Sequence, residues 1–260
     1  MKNLAHLFLF TLTLFFGCKE EQKTISTTPE LAKVDKLFKL TPFEASEDFP
    51  DAKLKNMTYV DGQVNFDVIS ESYKLGVQTP DAASKMCANS GEGQHIHLII
   101  DNEPYAAKYT SSFEYDIPDG EHTVLAFLSR SYHESIKTND ANILTKILVK
   151  NKSISATYGT DARILTYSRP KGTYIGDDTK KVMLDFYLSN VSLGDGYTVD
   201  ANINGESHEI DNWQPYYIEG LPMGENTIKL TLMKDGEPVF TPLNPVTRTF
   251  TLKRNPEPEN

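Results

Sequence analysis

The sequence has very little cysteine and no excess of positive charge. Cys18 and Cys87 are its only two cysteines, so one intramolecular disulfide is the upper limit and a disulfide scaffold is excluded. Lysine and arginine total 26 against 36 aspartate and glutamate residues, for a formal net charge of −10. No cluster of basic residues opposes this balance, which argues against nucleic acid as a partner.

The chain also lacks the short motifs that usually identify an enzyme. It contains no Gly-x-Ser-x-Gly, His-Glu-x-x-His, phosphate loop, dinucleotide fingerprint or Cys-x-x-Cys. We therefore expect a non-catalytic protein. The one enzyme reading left open is a Cys87 nucleophile paired with a histidine, which would need a thiol activated by its surroundings.

One long apolar run lies at the N-terminus, from Leu7 to Phe16, followed by Gly17 and Cys18. It is short for a membrane span and is typical of a secretory signal. The sequence LFFGC resembles the lipobox of bacterial lipoproteins, which implies cleavage after residue 17 and lipid attachment to Cys18. We predict a signal peptide over 1–17, a lipid anchor in the membrane, and a flexible tether over 18–40 rich in Lys, Glu, Thr and Pro.

The residues KEEQK after Cys18 resemble the surface-export signal of Bacteroidota lipoproteins. The resemblance implies an outer-membrane lipoprotein at the cell surface; a plain charged tether and a periplasmic location remain the alternative. Removal of residues 1–17, which carry one lysine, brings the net charge to −11. With Cys18 lipidated, Cys87 has no partner for an intramolecular disulfide.

Beyond the tether, short segments rich in Val, Ile, Phe, Tyr and Thr alternate with Gly, Pro, Asn and Asp. This pattern predicts an all-β chain, and its length fits two tandem antiparallel β-sandwiches. We place the first domain at 41–152, the second at 156–254, and a disordered tail at 255–260.

An internal repeat supports two domains. DIPDGEHTVLAFL (116–128) aligns with GLPMGENTIKLTL (220–232), and VNFDVISESYKLG aligns with VMLDFYLSNVSLG. The Pro-x-Gly-Glu turn before an alternating strand resembles fibronectin type III and other immunoglobulin-like sandwiches, which implies their topology and nothing about a ligand. His122 aligns with Asn226, so we interpret it as a turn residue.

The two copies differ in length at one place. The offset between matched positions falls from 118 at Gly76 and Gly194 to 103 at Asp101 and Asn204. Copy 1 therefore carries an inserted loop, at about 77–93, which contains Met86 and Cys87. The insertion leads directly into the strand with the two alternating histidines.

Strand alternation predicts which side chains of copy 1 leave the core. By comparison with Val199, Ala201 and Ile203 of copy 2, the core should receive Ile96, Leu98 and Ile100. The opposite face should then carry His95, His97 and, on the next strand, Leu125 and Phe127. We expect the inserted loop to cover these apolar side chains.

Three histidines should meet on this face, because the strand after the Pro-x-Gly-Glu turn runs antiparallel to the histidine strand and continues to His133. With Cys87 and Met86 they form a ligand set that suits copper or zinc, so metal is a candidate cofactor. The alternative is a face that packs the loop or binds an organic ligand. For that alternative, the candidate residues are His95, His97, Phe127, Arg130, Tyr132 and His133.

GQHIHLIIDNEPY and AFLSRSYHESIK resemble an uncharacterised group of Bacteroidota lipoproteins labelled phosphopeptide-binding. Few basic residues accompany these segments, whereas phosphate-binding sites usually cluster them. The sequence thus predicts a lipid-anchored envelope protein whose first sandwich presents a binding face for an unknown protein, peptide or small molecule. The alternative is a periplasmic or surface copper- or zinc-binding protein that uses His95, His97, His133 and Cys87.

Overall fold

The computed structural model describes residues 38–256, and these form β-strands joined by turns, with two short 3-10 turns at Ala82–Ser84 and Gly176–Thr179. The strands are β1 Lys39–Pro42, β2 Lys53–Val60, β3 Gln63–Ile69, β4 His95–Ile100, β5 Ala106–Lys108, β6 Ser112–Glu114, β7 Gly120–Ser129, β8 Asn142–Lys150, β9 Ser153–Tyr158, β10 Ile164–Arg169, β11 Gly172–Ile175, β12 Lys181–Ser189, β13 Tyr197–Ile203, β14 Glu206–Ile210, β15 Tyr216–Glu219, β16 Gly224–Lys234, β17 Glu237–Pro238 and β18 Val246–Lys253.

These strands build two tandem immunoglobulin-like sandwiches, which confirms the predicted fold class. In the first, a sheet of order β2-β3-β6 faces a sheet of order β5-β4-β7-β8-β9. In the second, β1-β15-β12-β10 faces β11-β18-β16-β13-β14, with β17 added beside β16. Each sandwich encloses its own apolar core, to which both of its sheets contribute. Aliphatic and aromatic side chains on the inner faces of the strands hold each pair of sheets together.

The sequence repeat corresponds to equivalent strands. β3, β4 and β7 of copy 1 occupy the places of β12, β13 and β16 of copy 2 in the sheet orders. Asp101 and Asn204, which directly follow the third strand of each copy, both have positive φ and both accept a hydrogen bond from a threonine backbone N–H, at 2.8 and 2.9 Å. His122 contacts Asp101 and the Pro118 carbonyl, as Asn226 contacts Asn204 and the Pro222 carbonyl. His122 and Asn226 are thus equivalent, but His122 lies within β7 rather than in the turn that was predicted for it.

The domain boundaries differ from the prediction at two points. β1 pairs antiparallel with β15, and Phe38 lies in the core of the second sandwich, so this segment belongs neither to the tether nor to the first domain. β9 pairs with β8 and so extends the first sandwich to Tyr158. The first sandwich is therefore inserted in sequence between two strands, β1 and β10, of the second.

The predicted faces of β4 and β7 are correct, but their cover is not the predicted one. Ile96 and Leu98 lie in the core of the first sandwich. On the opposite face Leu125 and Phe127 pack in a separate cluster with Tyr187 of the second sandwich, which Trp213 also contacts. The second sandwich, rather than the inserted loop, covers this face.

The inserted loop packs elsewhere. Its Cys87 contacts a cluster that contains Phe43, Met183 and Tyr217, and the Tyr217 hydroxyl donates to the carbonyl of Lys85 at 2.7 Å. Lys85 in turn donates to the carbonyls of the segment that follows β1. The loop thus joins the first sandwich to one sheet of the second.

No helix within residues 38–256 has both the length and the apolar character needed to cross a bilayer. The predicted signal peptide, the lipidation residue Cys18 and most of the tether precede residue 38. These predictions therefore lie outside the described residues.

Candidate metal centre

Three histidines meet where the two sandwiches adjoin. His95 and His97 are on the same face of β4, where strand alternation aims both rings in one direction. β4 pairs with β7 so that His95 lies opposite Ser129, and the chain turns directly after that residue. His133 is in this turn, with a positive φ of 71° and its N–H bonded to the Arg130 carbonyl at 2.9 Å. The turn carries the third imidazole back to the other two.

One nitrogen from each ring converges on a common point. Nε2 of His95 is 2.9 Å from Nε2 of His97 and 3.1 Å from Nδ1 of His133. The three candidate ligand atoms all lie within 4.8 Å of one another. His95 and His97 are fully buried, whereas His133 is partly exposed.

Hydrogen bonding among the three rings alone leaves this arrangement incomplete. Nδ1 of His95 is 2.8 Å from the Gly93 carbonyl, and because a carbonyl only accepts, Nδ1 carries the proton. Nε2 of the neutral ring then has a single lone pair, at which the nitrogens of both His97 and His133 are aimed. That lone pair can accept one strong hydrogen bond. A cation that accepts a lone pair from each ring would satisfy all three nitrogens together.

The rings are held by neighbours from both sandwiches. Nδ1 of His97 is 3.3 Å from the hydroxyl of Ser168 on β10. The ring of His97 stacks on Tyr105, with centroids 3.7 Å apart and planes 8° from parallel. The Tyr105 hydroxyl lies 3.4 Å from Nδ1 of His133 and accepts a hydrogen bond from Arg169 at 2.8 Å. Hydrogen-bonded outer neighbours of this kind orient the imidazoles of metal sites.

The surroundings keep the three imidazoles neutral. Burial lowers the pKa of His95 to about 4. Burial, followed by neighbouring positive charge, holds the pKa of His97 and His133 well below the usual range. A neutral imidazole has a free lone pair at neutral pH, which is the form that binds metals.

The spacing suits a small transition-metal ion. Bonds of about 2.0–2.1 Å from zinc to nitrogen place the ligands of a tetrahedral site roughly 3.3 Å apart. The two separations that involve His95, 2.9 and 3.1 Å, would have to widen by a few tenths of an ångström, and the nitrogens of His97 and His133, which lie within 4.8 Å of each other, would have to move closer together. Imidazole nitrogens bind copper and zinc well and magnesium or calcium poorly.

Two predicted ligands do not join the histidines. Among residues 38–256, the group that could hold a metal consists of His95, His97 and His133. Met86 is 68% exposed, and Cys87 packs with the Phe43 cluster described above. The insertion bends away from the histidine strand toward the second sandwich, so adjacency in sequence did not produce adjacency at the site.

The thiol of Cys87 is also poorly suited to catalysis. Burial raises its pKa to about 12, although the charge of Arg169 opposes the shift. The reactive thiolate is therefore scarce at neutral pH. This environment gives no support to the cysteine-dependent enzyme considered above.

The other candidate ligand-binding residues are enclosed. Phe127 is fully buried and stacks on Tyr187 at 5.0 Å. Arg130 donates to the Glu47 carbonyl and is 3.6 Å from a carboxylate oxygen of Glu134. Tyr132 is also fully buried. The predicted binding face is thus an internal surface between the sandwiches, because the second sandwich and the segment after β1 cover it.

Three further residues of the site were missed by the sequence reasoning. Tyr105 follows the histidine strand in sequence, but nothing in its pattern distinguishes it from an ordinary turn aromatic. Ser168 and Arg169 come from the second sandwich, about 70 residues away from the histidine strand. Only knowledge of how the sandwiches pack could have placed them here.

No family model matches the chain, and no curated protein matches it. Among solved structures, fibronectin(III)-like modules of CbhA from Clostridium thermocellum are similar at 13% identity and a TM-score of 0.28, over 83% of this chain and 95% of that chain. The two tandem V-type regions of a chitin-binding protein, VCBP3, are similar at 8% identity and a TM-score of 0.22, over 83% of this chain and 99% of that chain. At such low TM-scores, the order of the strands in this chain itself carries the assignment to immunoglobulin-like sandwiches.

Proposed function

We propose that the chain is a lipid-anchored envelope protein that binds one transition-metal ion between its two sandwiches through His95, His97 and His133. The observation that carries this proposal is the convergence of three imidazole nitrogens from two buried histidines and one partly exposed histidine, two pairs of which lie 2.9 and 3.1 Å apart. Burying polar rings such as those of His95 and His97 beside each other is costly unless each nitrogen has a partner. A bound metal ion would offset that cost, because each of the three nitrogens would then have a partner.

A binding protein fits better than a metalloenzyme. Catalytic metal sites keep an open coordination position that substrate can reach. Here the rings of His95 and His97 are fully buried, with Tyr105 stacked on one of them. Such a site favours retention of the ion over turnover of a substrate.

The location is proposed from the N-terminal sequence alone. The apolar run that ends in Gly17 and Cys18 supports export and lipidation, and KEEQK supports display at the outer-membrane surface. Mass spectrometry of the native protein tests the first point: we expect a chain that starts at Cys18 and carries lipid, and a Cys18→Ser variant without it. Protease treatment of intact cells tests the second, since full protection would contradict surface display.

Elemental analysis tests the metal site. The purified full-length chain is incubated with zinc(II), or anaerobically with copper(I), and freed of unbound ion by gel filtration. We expect about one ion per chain with at least one of the two metals. His97→Gln should abolish binding, because the variant loses one of the three imidazole ligands.

His122→Asn is the matched control. It removes a histidine outside the group and installs the residue that copy 2 has at the equivalent strand position, Asn226, so it should bind metal like the wild type. Absence of stoichiometric metal under both conditions, or equal binding by the His97→Gln variant, would refute the proposed function.

A further inference from the structure

The metal ligands form an unusually neutral set. Within residues 38–256, the group contains three histidines and no aspartate, glutamate or cysteine. Neutral imidazoles contribute no negative charge, so a bound ion keeps its full charge in a buried environment. A site of this kind discriminates between ions by their charge as well as by their geometry.

Positive charges lie close to the same point. Arg169 is 6% exposed, and its guanidinium is 2.8 Å from the Tyr105 hydroxyl, which is itself 3.4 Å from Nδ1 of His133. Lys171 lies over the ring of Tyr105, 4.2 Å from its centroid, and Tyr105 stacks on His97. Both cations therefore act on any ion that the histidines hold.

The surroundings penalise a divalent ion more than a monovalent one. The cost of moving an ion from water into a less polar medium grows with the square of its charge, so a dication loses about four times as much as a monocation of similar size. Repulsion by Arg169 and Lys171 is also twice as large for the dication. No carboxylate in the ligand group offsets either penalty.

The number of ligands also favours a monovalent ion over a divalent one. Zinc is usually four-coordinate and adds a water to three protein ligands where the protein supplies no fourth, and the structure offers three imidazoles. The Tyr105 hydroxyl, 3.4 Å from Nδ1 of His133, accepts a hydrogen bond from Arg169. Copper(I) is stable with three nitrogen ligands and needs no fourth.

We infer that the site selects copper(I) over zinc(II) and other divalent ions, and that Arg169 and Lys171 set this selectivity. The inference rests on the proposed function, since it concerns which ion the three histidines hold. The positive charges do not touch the ion: they are positioned to disfavour a second unit of charge.

Competition titrations of the full-length chain test the inference. Copper(I) affinity is measured anaerobically against a chromophoric copper(I) chelator, and zinc(II) affinity against a zinc chelator at the same pH and ionic strength. We expect a dissociation constant at least tenfold lower for copper(I). Metal binding in which zinc(II) is held as tightly as copper(I) or more tightly would overturn the inference but leave the proposed function intact; no binding of either ion would end both.

Two variants test whether the positive charges of Arg169 and Lys171 cause the preference for copper(I). Lys171→Gln should improve zinc(II) binding relative to copper(I) by roughly tenfold, as expected for removal of one charge about 10 Å away at an effective dielectric constant near 20. Arg169→Gln should shift the ratio in the same direction and further, because its guanidinium is the closer of the two. Lys171 is half-buried, so its variant keeps the test valid if the Arg169 variant does not fold.

Lys152→Gln is the matched control. Lys152 follows β8 at the end of the first sandwich where β7 begins, whereas the histidines lie where β7 ends. The ten residues of β7 separate the two places by about 30 Å, well beyond the screening length in ordinary buffer. The ratio of zinc(II) to copper(I) affinity in this control variant should equal that of the wild type. If the ratio is also unchanged in the Lys171 variant, the positive charges do not set the selectivity.

Discussion

Asp185 should be among the most sensitive positions in the interface between the sandwiches. This residue of β12 is fully buried, and its carboxylate accepts hydrogen bonds from the Lys137 ammonium at 2.7 Å and from the Ser135 N–H at 3.0 Å. Both partners belong to the first sandwich and follow His133 in sequence. The carboxylate thus holds the turn that carries the third histidine.

The substitution Asp185→Asn isolates the charge. The amide oxygen can still accept from Ser135, but Lys137, only 17% exposed, loses its counter-ion. Removing one partner of a buried ion pair costs about 3–5 kcal/mol. Lys137 keeps a hydrogen bond to the Ser135 hydroxyl and some contact with water, so we expect a loss near the lower end, about 3 kcal/mol.

Denaturant unfolding followed by tryptophan fluorescence measures this loss, because Trp213 lies beside the same interface. Asp140→Asn is the control: its pairs with Lys53 and Lys55 are 42–53% exposed, and we expect a change below about 1 kcal/mol. If the Asp185 variant loses less than about 1 kcal/mol, the pair is not an effective bond between the sandwiches and the reasoning fails.

Further predictions concern the thiol, the interface and the turn before the histidines. Cys87, whose pKa burial raises to about 12, should react with iodoacetamide at neutral pH far more slowly than free cysteine; equal rates would contradict its buried setting. Phe127→Ala should lower the free energy of unfolding by about 3–5 kcal/mol, whereas Phe240→Ala, at a fully exposed position, should change it by less than about 0.5 kcal/mol. Gly93→Ala should cost more than about 1 kcal/mol in the same assay, because φ is +89° and the new Cβ would lie 2.7 Å from the Val77 backbone.

Much of the fold could be predicted because local rules determine it. Alternation placed Ile96 and Leu98 in the core and His95 and His97 on the other face, and the strands bear this out. The repeat assigned equivalent strands to both copies. Antiparallel pairing of β4 with β7 brought His133 to the same end as the other histidines.

The remaining features depend on contacts between the sandwiches, which no local pattern encodes. The outward-facing Phe127 indicates that some other part of the protein must cover this face, but it does not indicate which part. Its stacking partner Tyr187 is 60 residues away in sequence. The inserted loop was the nearest apolar candidate in sequence, and it packs on Phe43 and Tyr217 instead. For the same reason Arg169, whose guanidinium donates to the Tyr105 hydroxyl beside the histidines, could not be found from the sequence.

The pairing of β1 with β15 has a consequence for the order of folding. Lys39 meets Glu219 across that pair, and the entire first sandwich lies between them in sequence. Contacts this far apart in sequence form late unless the chain between them is already compact. We therefore expect the first sandwich to fold before β1 docks, and the β1 edge of the second sandwich to close last.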